Sequence, residues 1–198
     1  MVISFLKGWD KMIRDARPED AKMVAPLLFT IWKDMELPLL QKESEEKILE
    51  TLVVAISVPD YRYGFNHLHV YDDNGIIAGV VSGYPGAKEP FIDQIWPELA
   101  KAHKLIDQSA VFKEKETFSG EWYLDSIVTS PDYRGKGIGT ALLNELPRFA
   151  KADGEHTIGL NCDKENKAAK RLYERLGFQT TGEILLSGHR YEHMQKSV

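Results

Sequence analysis

Residues 133–140, YRGKGIGT, form a glycine-rich, positively charged turn that leads straight into ALLNEL (141–146), a stretch with helical spacing. The residues before the turn, EWYLDSIVT (121–129), have the apolar character of a buried strand. Where such a turn opens a helix, free backbone N–H groups face outward, and glycines let an anion approach them closely. The stretch therefore predicts an anion-binding turn, to which Arg134 and Lys136 add positive charge.

Three known anion-binding patterns can be compared with this turn. A Walker loop needs GxxxxGK followed by Ser or Thr, and Lys136 lies between glycines without that spacing. A dinucleotide fingerprint needs GxGxxG with an acidic residue about 20 positions further on, and that residue is not in place. The third pattern, Arg-x-x-Gly-x-Gly, fits Arg134, Gly137 and Gly139. On these residues alone, a pyrophosphate-binding turn and a glycine-rich loop without a ligand both stay open.

The composition bounds the class of protein. The 198 residues, 43% of them hydrophobic, fit a single folded domain over 1–198. A net charge of −5 gives no basic field, so we expect no nucleic-acid partner. No apolar run has the length of a membrane span, and MVISFLKGWDK (1–11) lacks a signal-peptide pattern. A single cysteine allows no disulfide within the chain. We therefore expect a cytoplasmic protein without a membrane partner.

Hydrophobic periodicity predicts a mixed α/β (α+β) domain with the element order βααββ, then β-turn-α, then βαββ. Ser44 is placed to cap the second helix, and Pro147 should kink or shorten the helix that follows the turn. The stretch 85–120 is longer than a hairpin connection needs. Within it, FIDQIWPELAKAHKLI (91–106) predicts about one extra helix, which Pro97 can split.

A second motif lies downstream, in NKAAKRLYERLGF (166–178). Together with SIVTSPDYRGKGIGTALL (126–143), it resembles the GCN5-related N-acetyltransferase (GNAT) family. The resemblance covers 121–178 by motif and 12–84 by topology, and it leaves 85–120 outside as an insertion. It implies a mixed, centrally splayed β-sheet flanked by helices, with a helical insertion before the cofactor-binding strand. It also implies that acetyl-CoA, as co-substrate, lies where two parallel strands separate.

The resemblance also assigns roles to residues. Asn166 would contact the cofactor, and Tyr173 would protonate the leaving thiolate. Backbone groups at the end of the strand would bind the pantetheine arm, and the turn would bind the pyrophosphate. These two cofactor-binding sets are Ile127, Val128 and Thr129 for the arm, and Arg134, Gly135, Lys136, Gly137, Ile138, Gly139 and Thr140 for the pyrophosphate.

The acceptor amine must lose a proton, and two carboxylates are candidates for the base. Asp125 and Glu121 lie four apart on the same strand, which places them on one sheet face. The alternative is that one or both simply pair with a neighbouring basic group. The pair His67 and His69 has no placed third ligand, so we expect no metal.

These features predict an enzyme, an acyltransferase that moves an acetyl group from acetyl-CoA to a primary amine by direct attack on the thioester. The alternative is a catalytically weak acyl-CoA-binding sensor or protein-interaction module on the same fold. The acceptor, a small-molecule or peptide amine, is not defined by the sequence. The insertion is expected to cover the acceptor mouth, and its alternative role is a homodimer contact built from Ile95, Trp96 and Leu99.

Overall fold

The computed structural model describes residues 12–198, so the expectation for residues 1–11 lies outside the described residues. Within 12–198 the predicted element order is confirmed, with two short helices in the insertion. The strands are β1 (Met12–Asp15), β2 (Leu68–Asp73), β3 (Ile76–Pro85), β4 (Trp122–Thr129), β5 (Thr157–Asp163), β6 (Gln179–Leu186) and β7 (His189–Ser197). The helices are α1 (Ala21–Asp34), α2 (Glu45–Ile56), α3 (Glu89–Ile92), α4 (Trp96–Ala102), α5 (Ile138–Ala152) and α6 (Lys167–Arg175). Among these helices none is long and apolar enough to cross a membrane.

Local sequence signals account for most helix ends. The Ser44 hydroxyl accepts the Lys47 N–H and caps α2, as predicted. Gly177, with φ 91°, follows the end of α6 in the left-handed conformation that favours glycine. The expected shortening at Pro147 is wrong, because α5 continues through it to Ala152. The helix packs its apolar face on the sheet, and this packing offsets the hydrogen bond that proline removes.

Among the strands of residues 12–198, the sheet contains one parallel neighbour pair, and that pair separates. The strand order is β1-β2-β3-β4-β5-β7-β6. Strands β4 and β5 run parallel and pair only over Trp122–Leu124 and Ile158–Leu160. Beyond these residues β4 pairs with β3 alone, and β5 pairs with β7 alone. The predicted splayed sheet is therefore confirmed, and a cleft opens between residues 125–129 and 161–163.

A β-bulge in β4 lies at the start of this cleft. Ser82 of β3 is opposite Ser126, but Gly83 is opposite Leu124, which leaves Asp125 as an extra residue. The extra residue interrupts the alternation of side chains along the strand. As a result both Asp125 and Ser126 point to the sheet face covered by α1 and α2, where Asp125 binds Arg62 and Ser126 contacts Tyr63.

The two sheet faces carry separate apolar cores, and the insertion belongs to one of them. The first core lies under α1 and α2, and the second lies under α5. The predicted helix of the insertion is divided into two short ones, α3 and α4, and Pro97 lies in the first turn of α4. Trp96 is only 1% exposed, stacks on Tyr61 and meets Trp32 edge-on. Since Trp96 is part of this core, it cannot serve as a contact for a second subunit.

Candidate active site

The glycine turn forms an open cradle at the positive end of α5. Gly135 and Gly137 have φ values of 76° and 82°, in the left-handed region where a side chain would be strained. A Cβ atom at either position would meet no other atom within 4 Å. Gly137 is also the residue that caps α5, so the first free N–H groups of the helix face this open space. Exposed Arg134 and Lys136 flank it. The turn therefore has the shape and charge that a pyrophosphate requires.

The cleft edge of β4 has the unpaired backbone that the sequence predicts. Ile127, Val128 and Thr129 pair on one side with Val81, Val80 and Gly79 of β3. The other edge of these residues faces the gap where β5 has diverged. Buried backbone N–H and C=O groups need hydrogen-bond partners. The amides of a pantetheine arm fit this need, so the residues present fit acetyl-CoA.

The predicted residues of α6 have defined positions. The Asn166 side chain accepts the Ala169 N–H at 3.0 Å and caps the helix. The Tyr173 ring packs edge-on against Phe178, and Tyr173 lies in the same core as Cys162 of β5. Burial, with a smaller effect of Cys162, raises the pKa of Tyr173 to about 12. The phenol therefore keeps its proton at neutral pH. The cofactor contact of Asn166 and the acid role of Tyr173 stay predictions.

A buried ionic cluster lies on the opposite face of β4. Arg62 is 1% exposed and donates hydrogen bonds to three carboxylates. Its Nη1 atom is 2.5 Å from Asp125 and 3.1 Å from Glu116, and its Nη2 atom is 2.8 Å from Asp93. The Tyr84 hydroxyl also donates to Asp125 at 3.0 Å. The cluster brings one positive and three negative groups together beneath the insertion.

A chain of hydrogen bonds extends this cluster to Glu121. Tyr123 donates its hydroxyl proton to Glu116 at 3.1 Å, and Asn161 donates to the Tyr123 oxygen at 3.0 Å. The side-chain carbonyl oxygen of Asn161, Oδ1, then lies 2.8 Å from Nδ1 of His193. Nε2 of the same histidine lies 3.0 Å from Glu121. The buried polar groups of the two strands at the cleft are thus tied into one network.

The two candidates for the base, Asp125 and Glu121, belong to one network, but each carboxylate already bonds to another side chain. Asp125 forms an ion pair with Arg62, and Glu121 contacts His193 in a fully buried position. Glu121 also accepts the Phe118 backbone N–H at 2.7 Å. The alternative interpretation, pairing with a neighbouring basic group, describes both contacts. In the part of the chain that the structure describes, no group of three or more His, Cys, Asp or Glu is placed to hold a metal ion.

A cavity of about 250 Å³ lies beside Glu116. It is lined by the connection between α1 and α2, by the insertion and by the turn between β6 and β7. Apolar side chains dominate its wall, and they are Met35, Leu37, Leu39, Val111, Phe112 and Leu186. The insertion therefore lines a cavity beside Glu116, and its role in covering an acceptor site stays a prediction.

Sequence reasoning did not find Glu116, Arg62, Asn161 or the role of His193. Arg62 is the basic residue of an aromatic run, YRYGF (61–65), and a lone arginine in such a run is a signal of a buried ion pair. Glu116 lies in an irregular stretch of the insertion with no periodicity to mark it.

Three features occur together in this structure: a mixed sheet with one splayed parallel pair, a glycine cradle at a helix N-terminus, and a capped helix after the next strand. Together they define an acyl-CoA-binding transferase fold. Residues 28–178 match the family model of the Acetyltransferase (GNAT) family. The chain therefore belongs to the GNAT family of acyltransferases.

Solved structures are similar to this chain over nearly its whole length. One acetyltransferase structure is 44% identical, with a TM-score of 0.87 over 94% of this chain and 99% of that chain. An N-acetyltransferase from Staphylococcus aureus Mu50 is 33% identical, with a TM-score of 0.78 over 93% and 100%. The structure of yncA from Salmonella typhimurium with its cofactor acetyl-CoA shares the fold alone, at 17% identity, with a TM-score of 0.59 over 94% and 92%.

Curated relatives match over shorter stretches. The L-amino acid N-acyltransferase MnaT of Escherichia coli K12 is 32% identical over 47% of this chain and 55% of its own length. The N-alpha-acetyltransferase RimI of Mycobacterium tuberculosis is 31% identical over 46% and 65%. The alignments span from about a quarter to about two thirds of the length of the curated relatives.

Proposed function

We propose that this protein is an acetyl-CoA-dependent N-acetyltransferase that moves the acetyl group to a primary amine by direct attack on the thioester. The observation that carries the proposal is the continuity of two features. The open glycine cradle of α5 leads directly to the unpaired edges of β4 and β5. A pyrophosphate on the cradle would place the arm of the cofactor along this gap and its thioester near the point where the strands separate.

The residues divide into binding and chemical roles. The turn Arg134–Thr140 holds the pyrophosphate, the backbone of Ile127–Thr129 holds the arm, and Asn166, at the start of α6, contacts the cofactor. In the reaction a C–N bond forms and the C–S bond breaks. The amine gives up a proton to a base, and Tyr173 supplies one to the leaving sulfur. The high pKa of Tyr173 suits this step because the phenol is protonated before the thiolate forms.

Asp125 and Glu121 have different positions relative to the reacting atoms. Asp125 lies at the bulge where the cleft begins, and its buried carboxylate accepts hydrogen bonds from Arg62 and Tyr84. Glu121 lies before the paired part of the two strands, and it acts through His193 and Asn161. We therefore propose that Asp125 and Glu121 are positioning residues, which hold Arg62 and His193 in the network that borders the cleft.

The relatives indicate the range of acceptors to test. MnaT is named as an L-amino acid N-acyltransferase. A relative from Salmonella typhimurium is named as an L-methionine sulfoximine/L-methionine sulfone acetyltransferase. RimI is named as an N-alpha-acetyltransferase. Small amines and peptide N-termini are thus both candidate acceptors for this chain.

Release of free CoA in the presence of amines tests the proposal. The purified protein, acetyl-CoA and a panel of polyamines, amino acids, arylalkylamines and peptides would be combined, and free thiol would be followed with a chromogenic disulfide. We expect amine-dependent thiol release and an N-acetylated product. Tight acetyl-CoA binding without amine-dependent release would instead favour the alternative, a sensor on the same fold.

A further inference from the structure

Glu116 belongs to the insertion, but it lies at the point where the cleft between β4 and β5 begins. Its backbone carbonyl accepts a hydrogen bond of 2.9 Å from Asn161, one residue beyond the last paired residue of β5. Its carboxylate accepts the Tyr123 hydroxyl proton, and Tyr123 is one of the last paired residues of β4. The insertion therefore delivers a carboxylate to the point where the two strands begin to separate.

The environment of Glu116 has a surplus of negative charge. Arg62 is the cation within the cluster, and it is shared with Asp93 and Asp125. Glu89 adds a further carboxylate nearby, since it accepts the Glu116 backbone N–H at 2.5 Å. Buried charges are stable when they are paired. Three carboxylates around one guanidinium therefore favour the entry of a further cation.

The cavity beside Glu116 limits what that cation can be. Its volume of about 250 Å³ is below the roughly 300–1,000 Å³ of pockets that hold drug-sized ligands. Its wall is mainly apolar, and its acidic members are Asp107, Glu114 and Glu116. The basic member is Lys113, which is exposed. The cavity thus offers apolar contacts and carboxylates, and Arg62, the buried cation next to Glu116, is already bonded to three carboxylates.

We propose that Glu116 binds the ammonium group of the acceptor and takes its proton, and that the acceptor is a primary amine on a small apolar group without an adjacent carboxylate. This inference rests on the proposed function, since it assigns the acceptor of the same site. The proton passes from the ammonium to the Glu116 carboxylate. The neutral amine then forms the C–N bond while the C–S bond breaks and Tyr173 gives its proton to the leaving sulfur. The second proton of the nitrogen passes to solvent, from which Tyr173 is protonated again.

The placement of Glu116 suits both parts of this role. Its Oε1 atom bonds to Arg62 and its Oε2 atom to Tyr123, so each oxygen keeps a lone pair for the ammonium. Burial raises the pKa of the Glu116 carboxyl to about 7. Arg62 and the Tyr123 hydroxyl act in the opposite direction, and the charges of Asp125 and Glu89 raise it further. Such a group accepts a proton near neutral pH, as a general base must.

Tyr173 and Glu116 lie on opposite faces of the sheet. Tyr173 lies in the core with Cys162, whereas Asn161, which contacts Glu116, is the preceding residue of β5 and points to the other face. A thioester in the gap would therefore have the proton donor on one side and the incoming amine on the other. This separation prevents direct proton exchange between the acid and the base.

The first experiment compares two acceptors that differ only in a carboxylate. Acetyl transfer from acetyl-CoA to 2-phenylethylamine and to L-phenylalanine would be measured with the wild-type protein. We expect kcat/KM for 2-phenylethylamine to be at least about 100-fold higher, because a carboxylate facing Glu116 and Glu114 is a like-charge contact. Comparable kcat/KM values, or a preference for L-phenylalanine, would overturn the acceptor class.

The second experiment replaces Glu116 and uses a matched control. Glu116→Gln keeps the shape of the side chain and removes its charge, and Glu98→Gln makes the same change at an exposed site of the insertion. We expect Glu116→Gln to lower kcat/KM for 2-phenylethylamine about 10²–10⁴-fold, with acetyl-CoA affinity unchanged. It should also weaken binding of 2-phenylethylamine measured by calorimetry with CoA present. Glu98→Gln should match the wild type.

The pH profile separates a base from a merely structural carboxylate. If Glu116 is the base, wild-type kcat/KM falls as the pH drops through about 7, and this limb is absent from Glu116→Gln. A structural role would lower activity equally at every pH and would lower the unfolding temperature. A Glu116→Gln variant with wild-type kcat/KM, or with an unchanged acid limb, would overturn the assignment. A wild-type protein that acetylates no amine would instead refute the proposed function itself.

Discussion

A substitution at Gly139 tests the pyrophosphate cradle, because it should weaken acetyl-CoA binding without disturbing the fold. It is the second residue of α5, and its φ lies outside the left-handed region. A Cβ atom there would meet only the Thr129 hydroxyl oxygen, at 3.6 Å, which is an ordinary contact. A side chain therefore fits the protein at this position. An aspartate in the first turn of a helix also contributes about 0.3–1 kcal/mol through the helix dipole. We expect Gly139→Asp to be as stable as the wild type or slightly more stable.

The affinity of this variant for acetyl-CoA should fall, although its stability does not. The new carboxylate would lie where the first N–H groups of α5 face the open cradle, so it would occupy the position of a phosphate and repel it. Losing a charged hydrogen-bonded contact costs at least about 2 kcal/mol, which corresponds to roughly a 30-fold weaker Kd for acetyl-CoA. Calorimetry with acetyl-CoA measures this change directly, and thermal unfolding checks the fold.

Gly182→Asp is the matched control for this variant. Gly182 lies in β6 and its Cβ position is also open, but β6 is the edge strand on the far side of β7. We expect this control to bind acetyl-CoA like the wild type. A folded Gly139→Asp protein whose Kd for acetyl-CoA stays within about 3-fold of the wild type would refute the placement of the pyrophosphate on α5.

Three further changes test other parts of the site. Tyr173→Phe keeps the packing on Phe178, and the turnover number should fall roughly 10²–10⁴-fold with acetyl-CoA affinity unchanged; wild-type turnover would remove Tyr173 from the reaction. Gly159→Ala places a Cβ 1.9 Å from Glu121, so the buried carboxylate must move. Urea unfolding should show a loss of at least about 2 kcal/mol, and an unchanged midpoint would contradict the packing. Val111→Trp fills the cavity and should lower kcat/KM for 2-phenylethylamine at unchanged acetyl-CoA affinity; an unchanged kcat/KM would separate this cavity from the acceptor.

The features that could be predicted from the sequence are those determined by residues that lie close together in the chain. The strand–turn–helix unit, the cap at Ser44 and the end of α6 at Gly177 all follow from local residue types. The splayed pair of strands was expected only through the family resemblance, because the separation of β4 and β5 depends on their pairing with other strands.

The features that the sequence did not reveal depend on distant contacts. Arg62 and Asp125 are 63 residues apart, and Arg62 and Glu116 are 54 apart. No periodicity connects such positions, so the cluster could not be assembled from the sequence. The bulge at Asp125 is hidden for a related reason, because an extra residue in a strand is defined only by the register of its partner.

The insertion shows why apolar spacing alone does not identify a packing partner. From the sequence, Ile95, Trp96 and Leu99 belong to a segment expected to cover the acceptor mouth, with a homodimer contact as its alternative role. In the structure all three join the core beneath α1 and α2. Replacing residues 90–115 with a linker would therefore expose Trp32 and its neighbours, and it would not test acceptor choice alone. Single substitutions in the cavity wall keep this core intact.

A single-turnover experiment tests the central claim, direct acetyl transfer to an amine, most directly. The protein would be mixed with less than one equivalent of acetyl-CoA, with and without 2-phenylethylamine, and both the small molecules and the intact protein would be analysed by mass spectrometry. Direct transfer predicts one N-acetylated amine for each CoA released, no CoA release without amine and no acetylated protein at any time. Acetyl-CoA that stays bound and intact beside the amine, or CoA released with acetate as the product, would contradict it.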